Sequence, residues 1–217
     1  MLELALKTLL SYLLGSVAGA LILGQLLGFD IRQAGSGNAG ATNALRTKGP
    51  VFAIAVLLID MGKGYFAAAW LPPLALGLIA FDDRMTLAVL CACAAVLGHV
   101  YPLWYGFRGG KGAATLLGVL AGLQAGLVLP VVAVWVLVVA ATGYVSLATM
   151  LAVASFSVWI IGCRLIGWDY PRMDTVQPLL AFGLWAMLLT LYTHRTNIGR
   201  LRSGQESRTR FVRTPRS

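Results

Sequence analysis

Long apolar blocks, separated by short polar and glycine-rich stretches, organise this 217-residue chain. The longest run is residues 112–163, 52 positions without an Asp, Glu, Lys, Arg or His. A helix rises about 1.5 Å per residue and a bilayer core is about 30 Å thick, so that run alone covers two to three crossings. The pattern predicts seven helical spans, at 8–27, 50–71, 86–101, 113–127, 129–141, 146–166 and 178–192. The fourth and fifth must be separate, because a single helix over 113–142 would be about 45 Å long, thicker than the membrane. Pro130 suits the start of a new helix after a break near Gly126. The first block is about 20 residues long and lacks a small-residue cleavage site, so it is expected to be a retained helix rather than a signal peptide.

Composition agrees with this reading, since 59% of residues are hydrophobic and only 12% charged, against roughly a quarter charged in soluble proteins. The expected fold class is therefore all-α, a polytopic integral membrane protein, with one membrane-embedded domain over 1–217 ending in a basic tail from about 195–217. Lys and Arg collect on the cytoplasmic side of membranes. The tail carries Arg195, Arg200, Arg202, Arg208, Arg210, Arg213 and Arg216 and belongs inside. Counting back through seven spans places Arg32, Arg46, Lys48, Arg108 and Lys111 inside as well, and leaves Lys7, Arg84, Arg164 and Arg172 outside. The N-terminus is then outside, whereas six spans would export Arg32, Arg46 and Lys48. The formal charge of +9 suits an anionic leaflet. Nucleic acid is not an expected partner, because the basic residues hug a helix end instead of forming a face with stacking aromatics. Cys91, Cys93 and Cys163 fall within apolar blocks and read as small buried side chains, with no metal site.

Three polar clusters face one compartment in this topology. In the first, Gly35, Ser36, Gly37, Asn38, Gly40, Thr42 and Asn43 precede Arg46 and Lys48; glycines let successive N–H groups turn toward an anion, and Arg46 adds a fixed fork of charged donors. The second runs from His99 through Arg108, Gly109, Gly110, Lys111 and Gly112 into the fourth span, a glycine turn feeding a helix N-terminus. Its spacing is not that of a Walker A loop. His99, near a span end, is either a hydrogen-bonded structural histidine or a catalytic one. The third holds His194, Arg195, Asn197 and Arg200 just past the last span. Asp60 and Lys63 stand one turn apart inside the second span, where ionisable groups are costly; they are either a structural ion pair or part of a site.

These clusters contain no pair of carboxylates to hold magnesium. The HxxxxD acyltransferase pattern is absent, because the fifth residue after His99 is Trp104 and after His194 is Gly199. What is left is chemistry in which activated substrates are held by their phosphates and oriented. A membrane transporter of a phosphate ester is the alternative, although no internal repeat marks two transporter halves. A scaffold binding anionic lipid needs only the tail and leaves both glycine clusters unexplained.

Across nearly its whole length the chain resembles the bacterial acyl-phosphate:glycerol-3-phosphate acyltransferase family, the PlsY enzymes. The resemblance is carried by Tyr12-Leu13-Leu14-Gly15-Ser16, the 35–43 block, Asp60-Met61-Gly62-Lys63-Gly64, the 98–115 block, and His194-Arg195-Thr196-Asn197-Ile198 with Gly204 and Glu206. Departures are mild: Ala39 and Ala113 replace common Ile and Val, Arg108 stands where Lys is common, and Val17-Ala18 follows Ser16. The resemblance implies acyl transfer from acyl phosphate to the first hydroxyl of glycerol 3-phosphate in the bacterial cytoplasmic membrane, with no cofactor and no acyl carrier protein. It implies substrate binding by Gly35, Ser36, Gly37, Asn38, Thr42, Asn43 and Arg46, and phosphate binding by Arg108, Gly109, Gly110, Lys111 and Gly112. Catalytic roles fall to Ser36, Lys111, His194 and Asn197, with His194 either a general base or a donor that orients the acceptor.

Overall fold

The computed structural model describes residues 1–209, and those residues form ten α-helices and no strand. They pack as two compact units, Met1–Ala125 and a second beginning at Gly126. The tail residues Arg210, Arg213 and Arg216 lie outside the described residues.

The first unit contains α1 (Leu2–Gly15), α2 (Gly19–Leu26), α3 (Ala41–Lys48), α4 (Pro50–Ala69), α5 (Arg84–Val100) and α6 (Ala113–Leu123). Lipid offers no hydrophobic gain for bringing two apolar helices together, so close van der Waals packing must hold them. Glycine supplies the closeness. A Cβ on Gly64 or Gly118 would overlap the Thr115 or Met61 carbonyl between α4 and α6, and one on Gly122 would press on Ala68. Between α1 and α5, Gly15 rests on Ala95 and Gly98 on the Tyr12 carbonyl.

The first predicted span is corrected: instead of one helix over 8–27, α1 and α2 are bent by 50° across Ser16, Val17 and Ala18. The Ser16 hydroxyl donates to the Tyr12 carbonyl at 2.9 Å and accepts from the Leu103 N–H at 3.3 Å, which offers the chain an alternative to helical bonding. Lys7, expected as an external loop charge, is instead buried within α1. Its ammonium reaches Glu3 at 2.7 Å and the Pro72 carbonyl at 2.6 Å, and Arg84 and the Phe81 N–H join the same carboxylate. Pairing makes that depth tolerable.

In the second unit, α8 (Val145–Leu165) packs against both α7 (Val128–Thr142) and α9 (Met173–Thr193), and α10 (Arg195–Arg202) follows α9 directly. Phe156 and Phe182 meet edge-on at 5.9 Å, and Trp135 donates to the Thr149 hydroxyl at 3.3 Å. The break expected near Gly126 is present, with a short 3-10 turn at Ala125–Leu127. Pro178, expected to open the last span, lies inside α9, which starts earlier.

Among the described residues, five helices are long and apolar enough to cross a membrane, and the bent α1–α2 pair brings the count to six. The predicted fourth span is shorter than expected, since α6 has 11 residues, about 16 Å of helix against a core of about 30 Å. Two segments expected as loops, α3 and α10, are helices of eight residues each.

Overpacking the α4–α6 contact should cost about 1–3 kcal/mol. Gly118→Leu is expected to lower the midpoint of thermal unfolding in detergent, whereas Gly162→Ala, with open space at its Cβ, should leave it unchanged or raise it. Equal midpoints for Gly118→Leu and the parent would remove close packing as the determinant.

Candidate active site

Each glycine loop of the first unit is shaped by side chains that face inward. Asp30 opens the 3-10 turn Ile31–Gln33 by accepting the Arg32 N–H at 2.9 Å. The Arg32 guanidinium grips the same carboxylate, with NH2 2.8 Å from Oδ2, and this hydrogen bond holds the Asp30 carboxyl below its ordinary range. Its other nitrogen donates to the carbonyls of Tyr105 and Arg108, both at 3.1 Å, so one arginine ties the first loop to the second. In the sequence Arg32 is only a charge that helps set topology; no local signal marks the carbonyls it reaches.

Asn43 is buried at the start of α3, with its amide turned to its own loop. Oδ1 accepts the Ser36 N–H at 2.9 Å, and Nδ2 donates to the carbonyls of Ala34 at 2.9 Å and Ile31 at 3.3 Å. Gly35, at φ +60, lies against this amide with no room for a Cβ. The turn leaves Ser36 and Gly37 exposed and Asn38 and Thr42 half-buried, while Arg46 projects from α3.

The second loop folds back on the end of α5. The Gly109 N–H donates to the Val100 carbonyl at 3.1 Å and the Gly110 N–H to the His99 carbonyl at 3.2 Å. These two amides, expected to face an anion, therefore hold the loop down. Their glycine identity follows from crowding: a Cβ on Gly109 would strike the His99 carbonyl, and one on Gly110 would strike His99 Nε2 and the Ala39 carbonyl. The two glycine loops thus meet at Ala39 and Gly110. Gly112 takes φ +88 just before α6, whose first-turn N–H groups have no preceding helical carbonyl to bond. Lys111 is half-buried between Gly110 and that helix start, and Arg108 is exposed.

Beneath Gly110 lies a buried polar cluster. Lys63 Nζ is 2.9 Å from Asp60 Oδ1, 2.9 Å from His99 Nδ1 and 2.8 Å from the Val17 carbonyl. Asp60 Oδ1 also accepts the Gly19 N–H at 3.0 Å and stands 3.3 Å from His99 Nδ1. Asp60 and Lys63 are thus paired, and together they satisfy backbone groups on both sides of the α1–α2 break. His99 belongs to the same cluster, which its sequence position did not reveal.

In the second unit His194 forms the junction between α9 and α10. Its Nδ1 is 2.9 Å from the Thr190 carbonyl; a carbonyl only accepts, so Nδ1 carries a proton, and in a neutral ring Nε2 is then the acceptor. Asn197, three residues on, donates through Nδ2 to Glu206 Oε1 at 2.6 Å. The Ser146 hydroxyl donates to the same oxygen at 2.6 Å, and Arg200 Nε reaches Oε2 at 2.8 Å. Burial raises the Glu206 carboxyl, but donation from Arg200, Ser146 and Asn197 outweighs it and holds the group below its ordinary range. In the sequence Glu206 only closes a motif, with nothing nearby to mark these three donors.

A helical membrane protein in which two cationic glycine loops pack against each other is the class these features define. Residues 5–204 match the sequence model of the family Glycerol-3-phosphate acyltransferase. A glycerol-3-phosphate acyltransferase of Pelodictyon phaeoclathratiforme (strain DSM 5477 / BU-1) is 40% identical over 231 residues, covering 97% of this chain and 98% of the relative. One from Rhodospirillum rubrum is 40% identical over 208 residues, covering 95% and 91%. Crystal structures of PlsY (YgiH), an integral membrane glycerol 3-phosphate acyltransferase, are similar in its glycerol 3-phosphate form (TM-score 0.77) and its lysophosphatidic acid form (0.78), each 31% identical and covering 95% of this chain and 96% and 95% of theirs. The chain belongs to the glycerol-3-phosphate acyltransferase family.

Three donors converge on Glu206, so Glu206→Gln should cost about 1–3 kcal/mol at neutral pH. A carboxyl depressed in the folded state contributes stability fully above its unfolded value, about pH 4.3, and loses it as pH falls through the folded value. Thermal unfolding between pH 7 and pH 3 should therefore show a shallower acid decline in Glu206→Gln than in the parent. Identical declines would place the acid-sensitive group elsewhere.

Proposed function

We propose that this protein transfers a fatty acyl group from acyl phosphate to the sn-1 hydroxyl of glycerol 3-phosphate, giving 1-acyl-glycerol 3-phosphate and inorganic phosphate, the first step of phospholipid synthesis. The observation that carries this reading is the meeting of two glycine loops at Ala39 and Gly110, one leading to Arg46 and the other holding Arg108 and Lys111. Both substrates bring a compact phosphate, and the acyl tail has exposed apolar surface on α4, at Val51, Ile54 and Leu58, to lie against. Family membership supports the acceptor.

Acyl phosphate is a mixed anhydride with a good leaving group. The glycerol hydroxyl oxygen attacks the acyl carbon, the bond from that carbon to the bridging oxygen breaks, and phosphate leaves with the electron pair. The hydroxyl proton ends on a phosphate oxygen of the donor. The protein then contributes orientation and charge neutralisation, without a carrier protein or a cofactor. Ser36, Asn38, Thr42 and Arg46 bind substrate phosphate and hydroxyl groups. Lys111 neutralises a phosphate, with Arg108 beside it, and Gly109, Gly110 and Gly112 give its loop its shape. His194, with Nδ1–H bonded to Thr190, presents Nε2 to the acceptor hydroxyl and orients it, and Asn197 acts from the next turn.

Lys111→Ala is expected to lose most turnover in a folded protein, because one charge-assisted contact to a phosphate that changes charge is worth about 2–4 kcal/mol. Arg46→Lys should also lose activity, since an ammonium cannot replace a bidentate guanidinium. His194→Gln should mainly raise the KM for glycerol 3-phosphate. Near-normal kinetics in the first two would sink the phosphate assignment, and a lost acid limb at unchanged KM in the third would make His194 a base.

The membrane is the bacterial cytoplasmic membrane, with the site loops and the C-terminus facing the cytoplasm. The Lys and Arg distribution supports this, with seven crossings if both the bent pair and the short α6 are counted. Single cysteines at the exposed positions Gln33 and Ser203 should resist an impermeant thiol reagent in intact cells, on a background lacking the native cysteines, and react after lysis. Labelling of either from outside would overturn the orientation.

The donor is decided by offering labelled glycerol 3-phosphate with acyl phosphate, acyl-CoA or acyl carrier protein and scoring lysophosphatidate. Acyl phosphate alone should give product. Efficient product from acyl-CoA would refute the donor assignment, and uptake of glycerol 3-phosphate into liposomes with no product from any donor would favour the transporter.

A further inference from the structure

The cluster of Asp60, Lys63 and His99 lies outside the residues given substrate contacts, yet it touches the loop that carries Lys111. A lysine ammonium has three N–H donors and no acceptor. In Lys63 each finds an acceptor: Asp60 Oδ1 at 2.9 Å, the Val17 carbonyl at 2.8 Å and His99 Nδ1 at 2.9 Å. The 2.9 Å contact of His99 Nδ1 with this ammonium is shorter than its 3.3 Å approach to Asp60 Oδ1, which favours Nδ1 as the acceptor and the ring proton of a neutral imidazole on Nε2. That nitrogen faces Gly110, so closely that a Cβ there would collide with it, and the Ala39 carbonyl of the first loop borders the same space. The main chain reinforces the arrangement, since Gly110 N–H is bonded to the His99 carbonyl at 3.2 Å and Gly109 N–H to that of Val100 at 3.1 Å. His99 holds the second loop by its backbone and underlies it with its ring, one residue from Lys111.

We propose that Asp60, Lys63 and His99 are positioning residues for acyl transfer: the ion pair locks the His99 ring in its Nε2–H form, and the ring sets the height of the 109–112 loop, and hence of Lys111, against the first glycine loop. This rests on the phosphate role assigned to Lys111 above. It also accounts for two costly side chains at membrane depth, because a displacement of about 1 Å at a reacting group can cost about 10²-fold in rate.

The chain has two histidines, so nitrogen-15 spectra of histidine-labelled protein resolve the prediction directly, with His194→Gln assigning the signals. His99 should show the Nε2–H tautomer and His194 the opposite, Nδ1–H. In Lys63→Met the His99 signal should lose its single-tautomer signature. An Nδ1–H tautomer at His99 in the parent would overturn the locking.

Kinetics test the consequence. His99→Gln keeps an N–H near the position of Nε2, whereas His99→Asn reaches only the position of Nδ1. With unfolding midpoints matched, His99→Asn should lose about 10²-fold in kcat/KM and His99→Gln should recover at least tenfold of it. Adding His99→Asn to Lys111→Ala should cost no more than Lys111→Ala alone, because both act through one contact. Equal activity of the Asn and Gln variants, or losses that multiply in the double variant, would refute the positioning role. Full activity of Lys111→Ala would instead remove the phosphate reading on which it stands.

Discussion

Backbone polar groups at membrane depth must find partners within the protein, and the rest of the first unit depends on how that demand is met at one broken helix. Between α1 and α2 the chain leaves helical geometry in the middle of a span. The Val17 carbonyl and the Gly19 N–H there would each cost several kcal/mol if left in hydrocarbon. Lys63 covers the carbonyl and Asp60 covers the N–H. Neither charge would be tolerable at that depth alone, and together they are close to neutral. The same pair holds His99, on which the second glycine loop rests. One ion pair thus connects a helix break, the helices packed around it and the second glycine loop.

Glycine serves two distinct purposes in this molecule. On α4, α5 and α6 it lets helices approach until carbonyls fill the space where a Cβ would be, which replaces the hydrophobic drive absent in lipid. In the loops it allows left-handed backbone at Gly35, Gly37 and Gly112 and close stacking at Gly109 and Gly110. The second purpose differs from the simple picture of a glycine loop as a row of anion-facing amides. Gly109 and Gly110 direct their N–H groups to α5 carbonyls, so the charge presented by this loop comes from Lys111 and from the start of α6.

The second unit solves a similar problem with a carboxylate. Glu206 gathers Ser146 from α8, Asn197 and Arg200 from α10, and so fixes the segment after the last span against the helices before it. Because a carboxylate only accepts, Asn197 must turn Nδ2 toward it, and this orients the amide. His194 is oriented in the same manner by the Thr190 carbonyl. Both proposed site residues of this unit therefore have one hydrogen-bonding face set by a group of the same unit.

Composition and hydropathy by themselves determined that the chain is helical and membrane-spanning, because only long runs of apolar residues satisfy both the bilayer and the backbone. The break near Gly126 was legible for the same reason, as helix length against membrane thickness. The glycine and cation clusters at 35–46 and 108–112 were legible as candidate anion sites from residue type alone. Local pattern could not expose the bend at Ser16 to Ala18, since its sequence is as apolar as its neighbours and the partners that make it possible lie more than 40 residues away. It could not decide between roles for Asp60 and Lys63, or show that Asn43 and Gly109 serve the loops themselves, or find Arg32 and Glu206. Those assignments depend on which backbone groups each side chain reaches across the fold. That is a property of tertiary contact, which no spacing along the chain encodes.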